Sequence, residues 1–231
     1  MKNKPKIKVC ENGPYSVSGN IPLGRENSVP NAEEIPEKWE QNGNIKTGES
    51  YELCRCGKSK NKPFCDGSHV AIGFDGTEVA TNEKYDDRAE VFDGPELIMK
   101  DDISFCAVAR FCDRGERVWN LIKHSDDPDA KEMAIQESCD CPSGRLVVYD
   151  KKTSKKLEPK FDPSVSVTED LAAEVSGPLW VKGGIPIESA AGEKYEVRNR
   201  VTLCRCGKSK NKPFCDGTHM EIGFVDENRL E

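Results

Sequence analysis

The sequence predicts an α+β fold rich in β-strand, in which two related repeats pair as one pseudo-two-fold β unit and a small α+β segment is inserted between them. Three observations carry this. A fourteen-residue string, Cys-Arg-Cys-Gly-Lys-Ser-Lys-Asn-Lys-Pro-Phe-Cys-Asp-Gly, occurs twice, from Cys54 and from Cys204. The flanks repeat with more drift: Gly13-Pro14-Tyr15-Ser16-Val17 aligns with Gly177-Pro178-Leu179-Trp180-Val181, and Asn20-Ile21-Pro22-Leu23 with Gly184-Ile185-Pro186-Ile187. The stretch from about Thr81 to Lys152 resembles neither repeat. The division that follows is residues 1–79, 80–152 and 153–231.

The elements follow in chain order. Gly13 to Leu23 reads as a short strand with turn residues at its ends. Gly24 to Asn44, rich in Pro, Glu and Asn, reads as a surface loop. Tyr51-Glu52-Leu53 is a second strand feeding the first cysteine. In the middle segment, strands are expected around Glu96–Met99 and Leu146–Tyr149. A helix should start at Pro128 with Asp127 as its cap, placing Ala130, Met133 and Ala134 on one face. Lys151 to Thr168, polar and Pro-containing, reads as a linker. Each repeat has too few apolar residues to close a core alone, and an open strand edge invites pairing. A monomer with an intramolecular pseudo-dimer is the expectation.

Composition sets limits. Of 231 residues, 35% are hydrophobic and 32% charged, so the cores are modest and metal staples would help them. No apolar stretch approaches the roughly 20 residues that span a bilayer, and no apolar run follows the charged start Met1–Lys6. Membrane insertion and export are therefore not expected. Eleven cysteines could suggest disulfides, yet a Cys-x-Cys pair suits one metal better than two bridges. A reducing cytoplasm is the expected location. Each sixteen-residue loop carries one Arg and three Lys against one Asp, a sum of +3, so the remainder of a chain at −7 holds −13. That acidic remainder argues against nucleic acid as a partner. The basic loops offset an anionic metal–thiolate centre, or dock an acidic partner.

Each loop goes on to a hydroxyl residue and a histidine, giving C-x-C-x8-C-x3-H twice. Three thiols and one imidazole at this spacing make a metal site, open on spacing alone to zinc or to iron–sulfur. Cys54 and Cys56 point the same way from an extended backbone. Pro63 fixes the chain before Cys65, and Asp66-Gly67 supplies a turn and a helix start. His69, one turn on, returns its imidazole to the metal that Cys65 binds.

Both copies fit C-x-C-x2-[ST]-x3-P-x-C-D-G-[ST]-H and resemble the CDGSH iron–sulfur proteins of the mitoNEET type. The resemblance implies a 2Fe–2S cluster at each loop. Cys54, Cys56, Cys65 and His69 would hold one, and Cys204, Cys206, Cys215 and His219 the other.

In the middle segment, Cys106-Ala107-Val108-Ala109-Arg110-Phe111-Cys112 is followed by Cys139-Asp140-Cys141-Pro142-Ser143-Gly144. This is similar to divergent mono-cluster ferredoxins with C-x5-C and a distant Cys-Pro. Ala109 stands where the bacterial pattern has its middle cysteine. The resemblance implies a third cluster, 3Fe–4S on Cys106, Cys112 and Cys141, or 4Fe–4S if Cys139 completes it.

Cys10 aligns with Glu174 and reads as structural or free. His124 reads as solvated, and Trp39, Trp119 and Trp180 as core or partly exposed. No Ser/His/Asp arrangement and no phosphate-binding loop is present, so a carrier rather than a catalyst is expected. The leading function is electron transfer with a redox partner protein. Cluster delivery to an apo-acceptor, or redox and pH sensing, is the alternative, and a zinc-stapled interaction module the third.

Overall fold

The computed structural model describes residues 4–228. The first repeat forms β1 (Lys6–Val9), β2 (Tyr15–Ser18), β3 (Leu23–Pro30), β4 (Pro36–Ile45) and β5 (Ser50–Leu53), then α1 (Ser68–Ala71). The middle segment contains α2 (Tyr85–Arg88), β6 (Glu90–Asp93), β7 (Leu97–Asp101), α3 (Val118–Lys123), α4 (Pro128–Asp140), β8 (Leu146–Asp150) and β9 (Lys156–Leu157). The second repeat forms β10 (Ser164–Asp170), β11 (Val175–Lys182), β12 (Ile187–Glu188), β13 (Arg200–Leu203) and α5 (Thr218–Glu221).

The repeats are joined by exchanged strands. Within each, a hairpin pairs with the strand that leads into the cysteine loop: β1–β2–β5 in the first and β10–β11–β13 in the second. The next strand of each repeat then adds, in parallel, to the other repeat. β12 pairs with β1 (Ile7 opposite Ile187), and β3 pairs with β10 (Leu23 opposite Val165). Each added strand covers an edge its neighbour would otherwise expose. The inward residues of both repeats, Ile7, Val9, Val17 and Leu53 with Val165, Val167, Val181 and Leu203, form one core. At roughly 1.5–3 kcal/mol per fully buried aliphatic side chain, neither half keeps this stabilisation without the other.

Sheet β6–β7–β8–β9 packs its own core, Leu97, Met99, Leu146 and Val148, against Val118, Leu121 and Ile122 of α3 and Ala134 of α4. Asp127 caps α4 as expected, its Oδ1 accepting from Asp129 N and Ala130 N at 3.0 Å. This segment docks on β13 through arginines. Arg200, 1% exposed, donates to the carbonyls of Cys141, Ser138 and Leu146 at 2.8–3.0 Å. Arg198 lies 3.9 Å over the Tyr85 ring.

Three expectations are corrected. Gly24–Asn44 is the β3–β4 hairpin, not a loop, because parallel pairing to β10 gives it a sheet to extend. Its Trp39 stacks on Phe111 (4.9 Å between centroids) and donates to Asp140 O at 2.9 Å. The predicted linker contains β9 and most of β10, whose side chains are buried from Val165 onward. Met133 is 43% exposed, and Glu137 and Ser138 complete the buried face of α4 instead.

Candidate metal centres

Each duplicated loop is a tight hairpin closed onto its strand. Cys54 N donates to Pro63 O at 2.8 Å and Cys65 N to Glu52 O at 2.9 Å; Cys204 and Cys215 repeat this with Pro213 and Thr202. Asp66 fastens the turn, accepting from Lys60 N (2.8 Å) and Ser68 N (3.0 Å), as Asp216 does in the second copy. The turn carries the histidine back beside the third cysteine.

The donors come in two pairs per loop. Cys54 Sγ and Cys56 Sγ are 3.7 Å apart, and Cys65 Sγ lies 3.3 Å from His69 Nδ1. In the second loop these separations are 3.7 and 3.4 Å. Two sulfurs at about 2.3 Å from one tetrahedral metal stand about 3.8 Å apart, so each pair is spaced for one metal. Among the described residues, no group of three or more His, Cys, Asp or Glu gathers around a single ion.

One thiol of each Cys-x-Cys pair is favoured as the anion, while its partner is pushed up by that neighbouring sulfur and by burial, and the third cysteine of each loop by burial. Cys54 is drawn down to about 6 by Cys56 Sγ and by the N–H groups of Ser59, Gly57 and Cys56. Cys204 is drawn down to about 7 by its Cys206 neighbour and by the N–H groups of Ser209 and Gly207. Gly67 N and Gly217 N point at Cys65 Sγ (3.5 Å) and Cys215 Sγ (3.4 Å). Such N–H groups favour an anion. Burial, with Arg205 second, pushes His219 down to about 4, favouring the neutral imidazole that binds metal.

Two buried arginines were read in the sequence only as loop charge. Arg55, 1% exposed, donates to three carbonyls, those of Gly13, Gly76 and Cys10, at 2.8–2.9 Å. No carboxylate among the described residues forms an ion pair with it. Arg205, in the same place in the other loop, pairs with Glu169 (2.9 Å) and Asp226 (2.7 Å). A buried unpaired guanidinium is costly unless an anion compensates it. An anionic thiolate-bound group beside Cys54 and Cys56 fits that need.

The inner cysteine pairs meet at the pseudo-two-fold. A Cβ at Gly57 would stand 2.6 Å from Cys206 O, and one at Gly207 would stand 2.5 Å from Cys56 O. Only glycine permits this approach at φ of +75° and +79°.

The third set of cysteines lines a cavity of about 160 Å³, several times a water's share of about 30 Å³. Cys106, Cys112 and Cys141 face it, with Ala109, Phe111, Trp119 and Arg145. Cys106 ends a 3-10 turn capped by Asp102, Cys112 lies in a second such turn, and Cys141 ends α4. Cys139 is not brought in. It is absent from the lining, and its Sγ donates to Leu157 O at 3.4 Å. Two residues before Cys141 on a helix, it is turned toward β9 instead. Arg145 was missed by the sequence reading: clamped by Asp101 (2.6 and 2.8 Å), it donates to Cys106 Sγ at 3.2 Å.

The residues set aside keep minor places. Cys10 is half-buried and supplies Arg55 with its carbonyl, and His124 is exposed. Trp180 is buried, and Trp39 and Trp119 are half-buried.

These arrangements fit an iron–sulfur protein. Comparison with known families agrees. The model of the iron-binding zinc finger of CDGSH type matches residues 12–70 and 176–220, and that of the divergent 4Fe-4S mono-cluster matches 92–151. Two segments are thus similar to the CDGSH family, and the one between them to the divergent mono-cluster family. The CDGSH iron-sulfur domain-containing protein 3, mitochondrial, of Mus musculus is 68% identical over 22 residues, 10% of this chain and 16% of that protein. The match therefore spans about a sixth of that relative's length. No solved structure matches. No helix among the described residues is long and apolar enough to cross a membrane.

Proposed function

We propose that this chain is an electron carrier with a 2Fe–2S centre at each duplicated loop and a 3Fe–4S centre in the middle segment. Cys54, Cys56, Cys65 and His69 would hold the first; Cys204, Cys206, Cys215 and His219 the second; Cys106, Cys112 and Cys141 the third. Such centres supply reversible one-electron chemistry. The observation that carries the reading is the pairing of donors: two for one metal, two for a neighbour, in both loops. A single zinc ion would need all four around one point. In the middle cavity only three cysteines face the space and Ala109 supplies no fourth thiol, which favours three irons over four.

The protein's contribution is charge and order. Backbone N–H groups favour the thiolate at Cys54 and Cys204, Arg55 carries a buried positive charge in the first loop, and Arg145 donates to Cys106. We place the chain in a reducing compartment, where cysteines read as cluster ligands stay reduced. We also read it as a monomer, because the exchanged strands satisfy one another within one chain. The test is an anaerobic redox titration followed by visible and EPR spectra. Reversible one-electron cycling at three centres supports the carrier.

Cluster delivery to an apo-acceptor protein is the second reading, favoured by the exposure of the first loop. Incubation of the loaded chain with an apo-ferredoxin separates the two. Transfer of colour to the acceptor supports delivery, and retention through repeated redox cycles supports the carrier.

A further inference from the structure

The two loops share their sequence from Cys54 to Gly67 and from Cys204 to Gly217, yet their surroundings differ. A Cβ at Gly217 would come within 2.2 Å of Val108 Cγ2 and 3.4 Å of Cys106 O; one at Gly67 would meet nothing within 4 Å. Both glycines have φ of +85°, so the difference lies outside the loop. Over the second loop, Phe105 stands edge-on to Phe214 at 5.1 Å, and Asn211 Nδ2 donates to Ser104 O at 2.8 Å. From beneath, Arg200 ties the strand entering Cys204 to Cys141 O at 2.8 Å.

Exposure follows. Cys215 is 3% and His219 4% exposed, whereas Cys65 and His69 are half-buried, with Asp66 and Gly67 exposed beside them. Val70, next to His69, is 75% exposed. Val108 itself has φ of +52°, a left-handed backbone that a β-branched residue adopts only under strain. That strained conformation is the one that lays its side chain on Gly217.

We propose that the middle segment is a fitted cover for the second loop, so that the cofactor held by Cys204, Cys206, Cys215 and His219 is resident while that held by Cys54, Cys56, Cys65 and His69 is exchangeable. This rests on the reading that both loops bind clusters. Reagents and acceptor proteins reach the first loop directly. They reach the second only after the Cys106–Cys112 loop opens, and local opening has its own free-energy cost.

The test treats the loaded full-length chain with the iron chelator bathophenanthroline disulfonate and follows cluster absorbance. The expected result is a fast and a slow phase for the duplicated loops, the fast one missing from Cys54→Ser and the slow one from Cys204→Ser. Val108→Gly removes the covering side chain and relieves its backbone, so it should accelerate the slow phase several-fold and leave the fast phase unchanged. A second measurement does not depend on kinetics: Gly217→Ala should alter the EPR signal of the middle centre, while Gly67→Ala, with the same backbone strain, should not. Equal loss rates at two iron-loaded loops, or a slow phase untouched by Val108→Gly, would overturn the proposal while leaving the cluster reading intact. Zinc in place of iron would overturn the cluster reading itself.

Discussion

The hydroxyl of Tyr15, on β2 of the first repeat, donates to the carbonyl of Cys204 in the second repeat's loop at 2.9 Å, and to that of Pro213 at 2.9 Å. The pseudo-symmetric position holds Leu179, which has no such group. The bond therefore runs one way across the dyad, from the first repeat to the second loop.

Tyr15→Phe should thus weaken the second loop more than the first. It strips the shared hydroxyl donor from the Cys204 carbonyl while Pro213 O keeps Cys204 N and the packing stays, and such a loss costs about 1–3 kcal/mol. Thermal unfolding should shift down, and the cluster at Cys204 should be lost sooner than in the parent. Unchanged unfolding and unchanged loss would show that the bond carries no weight.

Identical ligand sets should have different potentials. Arg55 forms no ion pair with a carboxylate among the described residues, while Arg205 is paired with Glu169 and Asp226, so more negative charge lies against the second loop's arginine. Added negative charge disfavours the reduced form, placing the second centre at the lower potential. Asp226→Asn should raise that potential toward the first centre's. Spectroelectrochemistry of the parent and of Asp226→Asn checks the order, and coincident potentials in the parent would contradict it.

Arg145→Lys should lower the potential of the middle centre alone. Lysine keeps the positive charge opposite Asp101 but loses the fork that grips it and also reaches Cys106 Sγ at 3.2 Å. Redox titration should show the two CDGSH centres unmoved.

Glu137 gives a pH effect separate from the clusters. It is fully buried, neither carboxyl oxygen has a hydrogen-bond partner, and burial pushes it up to about 8. The folded protein then holds a proton that the unfolded chain releases near 4.5. Its contribution is full below that value and is lost as pH rises through about 8. Stability should fall across this window, and Glu137→Leu should flatten the fall. A parent with no slope between pH 5 and 8 would mean that Glu137 finds a partner on titration.

What was legible in the sequence was local. Cys54, Cys56, Cys65 and His69 lie within sixteen residues, so spacing alone brings them together, and the duplication made the pairing of repeats readable. The β3–β4 hairpin was not, because its strands present mostly polar residues outward and depend on β10, 140 residues away, for pairing. Arg55 and Arg205 looked like solvated charge, since nothing local shows that their guanidinium groups are buried under Gly76 and Asp226. Cys139 stood as the alternative fourth ligand because it neighbours Cys141; only the direction of the last turn of α4 sends its sulfur to Leu157. The cover formed by Val108 is tertiary and leaves no mark in either loop's own residues.

The central claim is that all three cysteine sets hold iron–sulfur centres. It is tested most directly by iron, acid-labile sulfide and zinc analysis of the anaerobically purified chain, with EPR of the same sample. The account predicts about seven irons and eight sulfides per chain, and an oxidised three-iron signal that Cys139→Ser leaves in place and a Cys106→Ser, Cys112→Ser double variant removes. A colourless protein with zinc in the duplicated loops and no sulfide would contradict it.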